Sequence, residues 1–199
     1  MKRNEVTNCL LCNAPLNHQI SWKSILTNAF PKTICTECEQ KFEPYENISD
    51  EVISLYHYNN MMKDFLHRYK FMHDVILAKV FREQIHQRLS KTDATIVPIP
   101  LHPTKLKERS FAQVDELLKA AHIPYEHYLE KTMTETQVGK TRQERLATPQ
   151  FFKLIKNCKN KEIILMDDIY TTGVTINHAK NLLLEYGAKS IRAFTLIRG

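Results

Sequence analysis

The chain has 199 residues, 43% hydrophobic and 25% charged, enough for one sizeable core and a small extra module. No long apolar run is present, and Met1–Glu5 is not followed by an apolar signal-peptide core. That excludes a transmembrane helix and gives a cytoplasmic location without membrane insertion as the expectation. A net charge of +6 is compatible with phosphorylated ligands or nucleic acid, while four glycines (Gly139, Gly173, Gly187, Gly199) cannot build a Walker A loop or a G-x-G-x-x-G turn.

Cys9-x-x-Cys12 and Cys35-x-x-Cys38 come first. Two such pairs on knuckle turns can bring four thiolates into a tetrahedron around structural Zn²⁺. Two disulfides or a redox pair are the alternatives; a cytoplasmic location disfavours disulfides, and a redox motif would not come as a matched pair. The apolar residues between the pairs (Ile20, Trp22, Ile25, Leu26, Phe30) are too few for a core of their own, so metal would supply folding energy. Residues 1–45 are taken as this module and 46–199 as the main domain. The fifth cysteine, Cys158, has no evident partner.

Residues 41–50, with mixed charge and Pro44, read as a linker. Val52, Ser54, Tyr56 and Tyr58 mark a strand. Asn59 and Asn60 start a helix through Lys70, with Met61, Met62, Phe65, Leu66 and Tyr69 at helical spacing. A second helix is expected from Val75 to Leu89, buried through Ile76, Val80, Phe81 and Ile85. His67, His73 and His86 read as exposed or capping. Thr95 to Pro100 is the next strand. A loop from Leu101 to Gln113 follows, carrying Lys105, Lys107 and Arg109 at spacing two, suited to a pyrophosphate. Val114, Leu117, Leu118 and Ala121 continue as an amphipathic helix.

Tyr125 to Leu129 is a further strand candidate. Lys131 to Arg145 is polar and basic, with Lys140, Arg142 and Arg145, and reads as a mobile hood over a ligand. Phe151 and Phe152 return the chain to the core.

Ile163 to Met166 is a short apolar run that reads as a buried parallel strand, with Asp167 and Asp168 at its carboxyl end. Ile169, Tyr170, Thr171, Thr172, Gly173, Val174 and Thr175 then lead into a helix marked by Ile176, Ala179, Leu182, Leu183 and Tyr186, stopped at Gly187. Hydroxyls, a permissive glycine and an open helix N-terminus make a phosphate cradle, and neighbouring acids suit vicinal sugar hydroxyls or hydrated Mg²⁺. Together they suggest a sugar phosphate, its sugar on the acids and its phosphate on the threonines. Ser190 to Ile197 closes the chain as a strand.

This last motif resembles the phosphoribosyl pyrophosphate (PRPP) motif of type I phosphoribosyltransferases: apolar strand, two acids, two residues, Thr-Thr-Gly-x-Thr. With the paired cysteines, Tyr69-Lys70-Phe71, Val97-Pro98-Ile99-Pro100-Leu101, Glu108-Arg109-x-Phe111-x-Gln113, Thr136-Gln137 and Arg142-x-x-Arg145, nearly the whole chain resembles the ComF family, the phosphoribosyltransferase-like proteins associated with DNA uptake. The family usually has Gly and Asn where this chain has Ser110 and Ala112.

The resemblance implies an α/β fold, a type I phosphoribosyltransferase-like, mainly parallel sheet flanked by helices, preceded by a zinc ribbon. It implies Asp167 and Asp168 as catalytic residues. PRPP would be bound by those acids with Thr171, Thr172, Gly173, Val174, Thr175, Lys105 and Arg109, and Mg²⁺ would enter with PRPP. Two functions are expected: a PRPP-binding, phosphoribosyltransferase-like protein of DNA uptake, or a non-catalytic nucleic-acid-binding or docking component with a vestigial or sensory PRPP site. Single-stranded DNA, a DNA-uptake helicase and other competence proteins are the macromolecular partners implied.

Overall fold

The computed structural model describes residues 6–16, 30–46, 51–132 and 151–199. In chain order the elements are α1 (Thr36–Glu39), β1 (Val52–His57), α2 (Asn60–Phe71), a 3-10 helix (Val75–Phe81), α3 (Arg82–Leu89), β2 (Thr95–Pro98), α4 (Pro103–Arg109), α5 (Gln113–Ala120), β3 (Leu129–Lys131), β4 (Phe152–Leu154), β5 (Glu162–Tyr170), α6 (Val174–Glu185) and β6 (Ser190–Arg198). The main sheet runs β1-β6-β5-β2 with every pairing parallel, and β3 and β4 form a separate antiparallel ribbon.

Period-two alternation along the central strands makes two apolar faces. Ile164 and Met166 of β5, Phe194 and Leu196 of β6 and Ile96 of β2 join the core under α2, the 3-10 helix, α3 and α5. Ile163 and Leu165, Ile191 and Ala193, and Val97 face the other way, onto Ile176, Ala179 and Leu183 of α6 and Phe152 of β4. Both faces are covered, which is why these strands read as nearly continuous apolar runs. The one buried polar pair between β1 and β6 is self-satisfied: Ser54 and Thr195 are register partners with hydroxyls 2.7 Å apart.

Several expectations are met. Asn59 caps α2, its side chain accepting from the Met62 N–H at 3.0 Å. Phe151 and Phe152 are buried, and Gly187 ends α6 at φ +86°.

Others are corrected. The stretch taken as a linker is tied to β1, because Tyr45 N–H donates to the Leu55 carbonyl and His57 N–H to that of Glu43. Phe42 is core, against Phe81 at 4.9 Å. The single helix expected from Val75 to Leu89 is a 3-10 helix followed by an α-helix. Leu77/Val80 and Ala78/Phe81 are buried at spacing three, whereas Ile85/Leu89 are buried at spacing four. Ile76 falls between those rows and is exposed.

The loop expected after β2 is largely the helix α4, started by Pro103 at its first turn and capped by His102. The strand expected at Tyr125–Leu129 is displaced to Leu129–Lys131, where β4 provides a partner. Tyr186, expected on the buried stripe of α6, lies exposed at its C-cap. The basic loop bearing Lys140, Arg142 and Arg145 lies outside the described residues, as do Ile20, Trp22, Ile25 and Leu26. No helix among the described residues is long and apolar enough to cross a membrane.

Candidate functional site

The β5–α6 connection carries the site. β5 is longer than its apolar run suggests. Its pairing with β6 continues through Asp167↔Thr195 to Tyr170↔Arg198, while pairing with β2 stops at Pro98↔Met166, followed by one bond from Ile99 N–H to the Met166 carbonyl. The acids therefore stand at the carboxyl edge of the sheet on its β2 side, the position at which open α/β sheets bind ligands.

Alternation along β5 sends the two acids to opposite faces. Asp167 lines a cleft of about 250 Å³ with Phe151, Ile169, Tyr170, the Thr171–Thr175 loop and Ile176. Burial pushes its carboxyl up to about 7, helped by the charge of Asp168; the Asp168 N–H, 2.8 Å from Asp167 Oδ1, and the charges of Lys70 and Lys131 oppose the rise. Asp168 turns towards α2, where its Oδ2 meets Lys70 Nζ at 2.5 Å. Both side chains are nearly enclosed, 12% and 9% exposed.

Gly173 is the N-cap of α6 at φ +75° and has no side chain to offer the first-turn N–H groups. The loop thus presents hydroxyls and the positive end of α6 to the cleft, a setting for an anion. A β-carbon on Gly173 would lie 2.7 Å from Tyr170 Cζ, so glycine is required by space as well as by φ. The Tyr170 ring is held in turn by the Arg198 guanidinium 4.2 Å from its centroid.

Lys105 and Arg109 do not line this cleft. They sit on α4, whose helical turn puts them on one face and Lys107 on the other. Arg109 Nη1 donates to Gln113 Oε1 at 2.9 Å, its guanidinium lies 5.8 Å from the Phe71 ring centroid, and His73 Nδ1 is 2.9 Å from its carbonyl oxygen. Sequence reasoning gave Lys70 no role; the signal was an acid pair at a strand end with no assigned counter-charge. It also missed His178, whose ring packs at a tilt on cleft-lining Phe151, centroids 4.2 Å apart.

The second cluster is the four thiols. The Cys9, Cys12, Cys35 and Cys38 sulfurs all lie within 4.8 Å of one another, with Cys12 and Cys35 3.6 Å apart. Four sulfurs at about 2.3 Å from a tetrahedral Zn²⁺ would stand roughly 3.8 Å apart, so the group fits that ion. Burial raises the Cys9 thiol, but the N–H groups of Cys12, Cys35 and Leu11 outweigh it and hold the pKa at about 6, while burial and the three neighbouring thiols push Cys38 up. All five cysteines are free, Cys158 buried with its thiol towards the Leu183 carbonyl.

A family model, phosphoribosyl transferase domain, matches residues 81–199. The chain is 35% identical to competence protein ComFC of Streptococcus pneumoniae over 96% of its own length and 99% of the relative's. It belongs to the ComFC family. ComFC of Bacillus subtilis is 30% identical, with 96% and 94% covered. Among solved structures, a hypoxanthine phosphoribosyltransferase from Staphylococcus aureus aligns with a TM-score of 0.36 at 15% identity, over 65% of each chain.

Two positions at which this chain departs from the usual ComF pattern end α4 and start α5. Ser110, where glycine is usual, holds φ +64° after α4. Ala112, where asparagine is usual, is the N-cap of α5 and supplies no side-chain cap.

Proposed function

We propose that this ComFC-family chain binds PRPP at the β5–α6 loop and acts in DNA uptake. The observation that carries the reading is the joining, in one cleft, of the Asp167 carboxylate with the Thr171–Thr175 hydroxyl loop at an uncapped helix N-terminus. The loop and the first turn of α6 take the 5-phosphate. Asp167 and Asp168, from the two faces of the strand end, take the ribose hydroxyls. Lys105 and Arg109, on the helix that follows β2, meet the pyrophosphate. Mg²⁺ entering with PRPP would supply further neutralisation of that pyrophosphate. Transfer at ribose C1 needs no covalent nucleophile, only this electrostatic support.

Zn²⁺ on the four thiols is structural, and free cysteines suit a reducing cytoplasm. Competence proteins supply the DNA-uptake setting, with single-stranded DNA and a DNA-uptake helicase as partners. A net charge of +6 makes DNA binding weak, non-specific and steeply salt-dependent.

The test uses Thr172→Ala, because Thr172 is exposed and its loss should leave the fold intact. PRPP with Mg²⁺ should raise the melting temperature of the wild type, and Thr172→Ala should abolish that rise at an unchanged basal melting point. A wild type indifferent to PRPP refutes the reading. Release of pyrophosphate with an acceptor base separates an enzyme from a non-catalytic binder.

A further inference from the structure

We infer that Lys70 is a specificity-determining ligand residue, which leaves Asp168 when a ribose phosphate enters and then binds the pyrophosphate. The inference rests on the PRPP reading above and goes beyond it by assigning a residue from outside the loop motif.

The geometry is unusual for a structural pair. Lys70 is the penultimate residue of α2, far in sequence from β5, and its ammonium lies on an acid at the ligand-facing edge of the sheet. An enclosed ion pair contributes little net stability after desolvation, so stability alone is a weak reason for it. The pair occupies Asp168 with a cation already in place. Ribose hydroxyls that take Asp168 Oδ2 compete with Lys70 for it.

The neighbours of Lys70 fix where the released ammonium would stand. Tyr69 donates its hydroxyl to the Gln113 carbonyl at 2.8 Å and packs on Phe111 at 5.2 Å. Phe71 lies against the Arg109 guanidinium, and His73 meets the Arg109 carbonyl. The last turn of α2 is therefore clamped to the α4–α5 turn on both sides of Lys70. A four-carbon side chain anchored there holds Asp168, while the next residue, Phe71, lies against the Arg109 guanidinium. A ligand carrying both a ribose and a pyrophosphate satisfies both ends, taking Asp168 through its hydroxyls and giving Lys70 a new anion. Ribose 5-phosphate frees Lys70 without replacing its partner, so Lys70 makes the site prefer PRPP.

Calorimetric titration of the wild type and Lys70→Met with PRPP plus Mg²⁺, and with ribose 5-phosphate, tests this. Loss of one charge-assisted contact should weaken PRPP on the order of tenfold or more, while ribose 5-phosphate binds as well or better. Equal losses for both ligands, or none for PRPP, overturn the inference. Because Lys70→Met leaves the Asp168 charge enclosed, wild-type protein answers the question without it. Lysine-selective acylation of Lys70, read by peptide mass, should be slow in the free protein, faster with ribose 5-phosphate and slow again with PRPP. No acceleration at a ribose 5-phosphate concentration that raises the melting temperature would refute displacement. A wild type that responds to neither ligand refutes the PRPP reading, and is distinct from one that binds both without involving Lys70.

Discussion

The Arg68 guanidinium donates to the Leu10 carbonyl at 2.9 Å, and so ties α2 to the first cysteine knuckle. The same group donates to the Leu11 carbonyl at 3.1 Å and pairs with Asp74 at 2.8 Å. Charge-assisted bonds of this kind are each worth about 1.5–3 kcal/mol when removed. Arg68→Ala should lower stability by roughly that amount and speed amide exchange across Cys9–Asn13. Urea titration and hydrogen exchange check both; exchange unchanged in the knuckle would mean that Arg68 acts only through Asp74.

Zinc should be present at about one ion per chain in purified protein, measured by elemental analysis. Cys9, Ile34, Cys38 and Phe42 belong to the same buried cluster as Phe65 and Phe81. Chelation should therefore shift a single thermal transition downwards. A separate low-temperature transition of the N-terminal module would show that the shared cluster does not couple the two.

Gly173→Ala should cost on the order of 1–2 kcal/mol from its left-handed backbone, and more from collision with the Tyr170 ring. Adding Tyr170→Ala should then restore part of the loss, as measured by a double-mutant cycle in urea. Additive losses would exclude the ring as the cause.

Asp167 should make stability depend on pH. Its carboxyl in the folded chain, at about 7, lies above the usual 3.8. Between those values the folded state keeps a proton that the unfolded state has lost, so this group's contribution to stability falls as pH rises from about 4 to about 7. Melting curves at intervals across that window should show a downward slope in the wild type that is reduced in Asp167→Asn. Stabilisation by PRPP with Mg²⁺ should grow over the same window, because the carboxylate accepts hydrogen bonds from the ribose hydroxyls better than the acid does.

The sequence by itself determined the local chemistry of each piece. Ile163–Met166, the threonine loop and the cysteine pairs are each contiguous or closely spaced, so periodicity, turn chemistry and ligand spacing are complete within a few residues. Asn59 likewise marks the start of α2 because a cap acts over three residues. The tertiary structure decided what depends on partners distant in sequence. It split Val75–Leu89 into 3-10 and α segments, because burial against the sheet chose which rows of side chains face inward. It paired 43–45 with β1, where the chain looked unstructured. It turned Asp167 into the cleft and Asp168 onto Lys70, a pair separated by nearly half the chain. Charges find each other through packing, which no local pattern encodes, and for that reason Lys70, though part of a recognisable Tyr69-Lys70-Phe71 motif, could not be paired with Asp168 from the sequence.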